Sequence, residues 1–124
     1  MNIKGFVNQK LEAAGIPYEY GEWSSKATYP YFVGLYTETD YRFEDNYSAG
    51  IFNIDGWSRG NDADLVLTTM QETIKSVFQN LNEVVDNTLF FIRYGGVQPI
   101  QTDEAELSHI QITLYTYFWK GNEE

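Results

Sequence analysis

Ile51-Phe52-Asn53-Ile54-Asp55-Gly56-Trp57, then Ser58-Arg59-Gly60-Asn61-Asp62, then Ala63 through Phe78: the fold turns on this stretch. The first segment is rich in β-formers and half polar, the pattern of a strand with one buried face. The second is turn chemistry. In the third, Leu67, Met70, Ile74, Val77, Phe78 and Leu81 recur at three- and four-residue spacing and share one helical face. Asn61 is the expected N-cap, and Asp62 and Asp64 suit the positive helix end. Asp62-Ala63-Asp64 also looks like a fragment of a calcium loop, but the rest of that loop is missing and capping is preferred. A strand leading into an amphipathic helix needs a sheet beneath the helix and neighbours on both edges of the strand.

Upstream, Tyr29 to Thr37 alternates as a strand, with Pro30 at its start, where proline is tolerated. Gly34 marks a close backbone approach or a bulge. Tyr41-Arg42-Phe43 extends this into a hairpin with Glu44, Asp45 and Asn46 at its tip. Glu38, Asp40, Glu44 and Asp45 make the hairpin acidic, with Tyr41, Phe43 and Tyr47 between them. It reads equally as a solvated edge or as a docking arm. Earlier still, Ile3, Phe6, Val7, Leu11 and Ala14 put a helix over 3–14, capped by Asn2, with Gly15 at C′ and Pro17 beyond. Residues 18–28 read as a short strand or, preferably, as a loop whose rings cover that helix.

Downstream, Asn80, Asn82 and Asp86-Asn87 punctuate the helix exit. Leu89 to Tyr94 is a strand apolar on both faces, closed by Gly95-Gly96, and 97–106 is a second acidic loop. Leu107 to Lys120 is a long last strand. Ile110, Ile112, Leu114 and Phe118 line one face; His109, Gln111, Thr113, Tyr115, Tyr117 and Trp119 line the other. The expected architecture is α+β in two layers: a mostly antiparallel or mixed sheet of about five strands, order α-β-β-β-α-β-β, with two helices on one face.

The chain has 124 residues, the length of one domain, and is 43% hydrophobic, as a folded globule is. Its aromatic content of 17% exceeds what such a core readily hides, which points to rings at an interface. A net charge of -10 with eight scattered basic residues argues against direct nucleic-acid affinity. There is no cysteine for a disulfide or a thiolate metal site. The N-terminus lacks the apolar region of a signal peptide, and no apolar run is long enough for a membrane helix. The chain therefore reads as soluble and made in a cytoplasm, with no membrane association.

Chemistry is sparse. A single histidine, His109, excludes multi-His metal sites and weakens a Ser-His-Asp arrangement; it reads as an ordinary surface or interface residue. Gly95-Gly96 lacks the Lys-Ser/Thr of a phosphate loop. No catalytic constellation, cofactor site or metal site is expected. Trp57 is read as closing the core, and Arg59 as an interface anchor in preference to a local ion pair.

The order of these motifs resembles the tail terminator (tail completion) proteins of long-tailed bacteriophages and prophages. The likeness runs from the N-terminal helix into Tyr29-Pro30-Tyr31-Phe32-Val33, and through Asp45-Asn46-Tyr47 to the strand ending Asp55-Gly56-Trp57. It continues through Asn61-Asp62 into the helix, then Gln98-Pro99 and Asp103-Glu104 before the last strand. The resemblance implies a non-enzymatic α+β subunit of a hexameric ring on the tail tube. Such a ring stops tube polymerisation, presents a surface to the head connector or stopper, and lets DNA pass. It would sit at the tail–neck junction of the virion, after assembly in the host cytoplasm. A ring needs two different lateral surfaces. The candidates are Tyr41, Arg42, Phe43 and Tyr47 with Arg59 on one side, and Tyr115, Tyr117 and Trp119 on the other. The lumen would be acidic, from Glu38, Asp40, Glu44 and Asp45 or from Asp103, Glu104 and Glu106. Another neck, connector or tube component is the alternative, and a small-ligand α+β protein or enzyme the more distant one.

Overall fold

A computed structural model describes residues 1–23 and 28–121. Helix α1 spans Ile3–Ala13, and the Asn2 side chain accepts a 2.8 Å bond from the Gly5 N–H. It buries Ile3, Phe6, Val7 and Leu11. Gly15, at φ +76°, ends it: its N–H reaches the Glu12 carbonyl while the Ile16 N–H reaches back to Leu11. That pair of bonds satisfies carbonyls the helix leaves orphaned.

The strands are β1 (Tyr18–Tyr20), β2 (Tyr31–Arg42), β3 (Tyr47–Arg59), β4 (Asn80–Val85), β5 (Thr88–Ile100) and β6 (Leu107–Lys120); helix α2 (Ala63–Phe78) joins β3 to β4. They form one curled, six-stranded mixed sheet in the order β1-β2-β3-β6-β5-β4. Only β1–β2 is parallel. The α+β class stands, with six strands in place of about five and the order α-β-β-β-α-β-β-β.

Each departure has a local cause. Tyr18–Tyr20 is a true edge strand, and Lys4 lies over the Tyr20 ring 4.7 Å from its centroid, so the ring also covers α1. The rest of 18–28 includes residues outside those described. Tyr41-Arg42 is the end of β2 and not a separate strand; a bulge between Glu38 and Asp40 keeps the ladder running. Phe43–Asp45 is a single 3-10 turn. Helix α2 is capped at Asp62, not Asn61, and without a side-chain bond. The helix stops at Phe78, so Leu81 packs on the core from β4. Asp86 and Asn87, at φ +49° and +64°, turn β4 into β5, the conformation a two-residue hairpin needs. Gly95-Gly96 does not end β5: a bulge between Tyr94 and Gly96 absorbs the extra residue and pairing resumes to Ile100. β4 pairs with β5 only up to Arg93, so Pro99 sits where β5 is itself an edge and its missing N–H costs nothing.

β3 and β6 are the central pair. Phe52, Ile54, Ile112 and Leu114 are fully buried on one face, as the alternation of the last strand predicts. Phe32, Phe90 and Ile92 extend that face, and the apolar residues of both helices close on it as one core. Phe6 stacks on Phe90 at 4.3 Å between centroids. Gly34, Gly50 and Gly56 lie under rings of neighbouring strands: Phe52 and Tyr18, Tyr36, and Phe32 respectively. No helix among the described residues is long and apolar enough to cross a membrane.

Candidate interaction surface

The opposite face of the sheet has neither helix on it, and the cross-strand register assembles it row by row. At one end Tyr31, Trp57, His109 and Ile100 lie in line across four strands. Trp57 is not a core residue. It is half-buried on the outer face, stacked 5.1 Å from Tyr31 and 4.4 Å from His109. Both flat faces of the indole are thus taken by its neighbours, and the row is a stabilising ladder and not an open stacking platform. Burial, and then the nearby Tyr29, push the Tyr31 phenol up.

Next come Asp55 and Gln111, then Asn53 and Thr113. His109 Nε2 lies 2.9 Å from Asp55 Oδ1, which also accepts from Gln111 Nε2 at 3.3 Å. No group of three His, Cys, Asp or Glu side chains among the described residues is placed to hold a metal.

The far end is aromatic and cationic. Arg42, Tyr47, Trp119 and Leu89 form one row, and Tyr117 and Phe91 pair in the next. Tyr115 lies opposite Arg93. Arg42 sits over Tyr47, whose ring is 5.0 Å from Trp119, and Arg93 lies 6.0 Å from the Tyr115 centroid. A shallow depression of about 320 Å³ opens here between Phe91, Arg93, Tyr117 and Trp119.

The candidate residues therefore regroup. Arg42 and Tyr47 share a patch with Tyr115, Tyr117 and Trp119 instead of standing on a separate surface. Tyr41 and Phe43 are exposed at the end of the same hairpin, but Tyr41 lies opposite Ser48 and so on the other face of the sheet from this patch. Arg59 does not belong with the hairpin: it is at the other end of 13-residue β3, about 40 Å away at ~3.3 Å per residue. There its guanidinium pairs with Glu104 and lies 5.4 Å from the Tyr29 centroid. The bonds to Glu104 and then Tyr29 raise its pKa further. The acids also divide: Glu38, Asp40, Glu44 and Asp45 lie toward the hairpin end, and Asp103, Glu104 and Glu106 at the Arg59 end. Phe91 and Arg93 were not foreseen as surface residues. Their alternation with buried Phe90 and Ile92 was the available signal, but only the pairing of β5 with β6 places them beside Tyr117.

Elsewhere, a cleft of about 330 Å³ lies between α2 and the sheet, lined by Leu67, Gln71 and Ile110 among others, with Asp64 at its rim. Asp64 accepts from Ser108 Oγ, and Gln71 Nε2 bonds the Tyr94 hydroxyl at 2.5 Å, so both polar groups are already engaged.

No protein-family model matches the chain, and no curated protein does. Among solved structures, 23 chains match it. One of them aligns over 98% of this chain and 90% of its own, with a TM-score of 0.61 and 15% identity. At that identity the likeness is one of fold alone.

Proposed function

We propose that this chain is a single-domain, tail-terminator-like subunit of a phage or prophage tail. Copies assemble as a ring, sixfold by the family resemblance, that caps the tail tube, ends its polymerisation and offers a surface to the head connector. The order of the sequence motifs motivates the reading. The observation that carries it is the outer sheet face: Tyr115 and Trp119, 37% and 38% exposed, stand with Tyr117, Phe91 and two arginines on a face that neither helix covers. Aromatic and arginine side chains are what interface cores enrich. A ring joins two different surfaces of one chain, and the chain offers an exposed hairpin tip as well as this patch. The passage of DNA calls for a lumen that repels phosphate, and either acidic set would serve.

The test mixes tail tube protein with and without this chain and measures tube length by electron microscopy. Tubes of defined length with a ring at one end are expected. Uncontrolled lengths in both mixtures, with no ring, would sink the terminator reading and promote a connector or tube component instead.

A further inference from the structure

The outer-face depression has an opening for one side chain and, at its edge, a cation that lies over Tyr115 but has no carboxylate partner among the described residues. Arg93 is exposed and makes no ion pair among the described residues, in a chain with 18 acidic and eight basic residues. The same chain carries a complementary knob. Phe43 is 78% exposed, more than any other large apolar side chain described, and exposed Glu44 and Asp45 follow it without ion-pair partners among the described residues. The knob is held in shape. Asn46, at φ +50°, donates its N–H to the Phe43 carbonyl, and the Lys120 N–H donates 2.9 Å to the Asn46 carbonyl. A preorganised tip loses little entropy on docking.

We propose that the Phe43-Glu44-Asp45 tip of one copy seats in the depression of a second copy. Phe43 packs against Phe91, Tyr117 and Trp119, and Glu44 pairs with Arg93. The inference rests on the ring reading only in requiring that two different surfaces of one chain meet. The knob belongs to the β2–β3 turn and the seat to the β5–β6 pair, so each copy can give one and receive the other. One ring in a shallow seat is an anchor and not a whole interface, since a stable one buries at least ~1,200 Å². With Glu44 in a contact, Asp103 and Glu106 at the other end of the sheet stay clear of it and can line a lumen.

Because the chain has no cysteine, the contact can be tested by site-directed disulfides in the intact protein. Phe43→Cys and Tyr117→Cys variants are purified separately, checked for folding by circular dichroism, mixed and mildly oxidised. A covalent dimer should form in the mixture and in neither variant alone, because a disulfide needs its Cβ atoms within ~4.5 Å. Phe43→Ala should weaken self-association by roughly 30-fold or more. Glu44→Lys and Arg93→Glu should each weaken it, and the double variant should recover. No cross-link in the mixture, or cross-linking of Phe43→Cys with itself, would overturn the proposal. Oxidising a Phe43→Cys/Tyr117→Cys double variant, which has two thiols per chain, separates the two readings: a ring gives covalent species larger than a dimer, and a product that stops at a dimer would uphold this contact and sink the ring.

Discussion

Ile112 lies directly opposite Ile54 in the antiparallel β3–β6 pair, and both side chains are fully buried. The same register puts Leu114 opposite Phe52 on that face, and turns Thr113 outward to bond Asn53 Oδ1 at 3.3 Å. Leu114→Asp would bury a charge with no partner and should cost more than ~4 kcal/mol, enough to unfold the domain. Thr113→Asp loses one half-exposed hydrogen bond and should cost under ~1.5 kcal/mol. Thermal melts of the two variants check this; equal melting temperatures would place the sheet in the other register.

Gly56 faces the core between Phe32 and Ile110 in the register, and a β-carbon there would overlap the Phe32 ring. Phe32 is itself fully buried, so it cannot swing out into solvent without giving up its place in the core. Gly56→Ala should therefore destabilise by ~2 kcal/mol, as overpacking does, although alanine is otherwise the better strand residue. Urea unfolding measures it, and an unchanged midpoint would refute the close approach.

The Tyr18 hydroxyl lies over Gly34 in the interior, with no hydrogen-bond partner among the described residues. Burial, and then Tyr20, push its pKa above the ordinary phenol value of 10.0. A raised folded-state pKa means that the unfolded chain loses its proton first. This contribution to stability is complete below pH 10.0 and is lost as pH rises toward the folded value. Stability should fall above that point by at most ~1.4 kcal/mol per pH unit for this group. Tyr18→Phe should be neutral or stabilising at pH 7, since it removes an unpaired hydroxyl, and should flatten the alkaline slope. Urea midpoints at pH 8 and pH 11 for both proteins decide it.

Phe43 and Tyr41 are largely exposed, whereas Tyr47 packs on Trp119 and under Arg42. Alanine at Phe43 should change stability by less than ~0.5 kcal/mol, and alanine at Tyr47 should cost ~1 kcal/mol through the lost ring pair. The triple variant at Tyr41, Phe43 and Tyr47 should remain folded by circular dichroism and lose self-association. Unfolding of the triple variant would make these rings part of the core.

Periodicity reported what each segment must bury. The alternation of Leu107–Lys120 and the three- and four-residue spacing from Leu67 to Phe78 were legible because one buried face imposes one period on a strand and another on a helix. Asn2 and Gly15 marked the ends of α1 because capping is a local event. Six residues from Asn80 to Val85 escaped notice: as an edge strand they need only one paired side, and their alternation is weak. Gly95-Gly96 was ambiguous for a related reason. A glycine pair serves a turn or a bulge, and only the presence of β6 alongside decides that pairing resumes. Trp57 was misplaced because a large ring is apolar whichever face it occupies, and the ladder from Tyr31 to His109 exists only through the register of three strands. The sequence by itself determined the α+β class, the two helices, the core face of the last strand and the acidic, cysteine-free character of the chain, since local spacing and composition carry these. Tertiary structure alone decided that Arg42 and Tyr47 join Tyr115, Tyr117 and Trp119 while Arg59 lies with Glu104 at the far end. Which residues share a surface depends on strand order and register, and these come from contacts between segments distant in the chain.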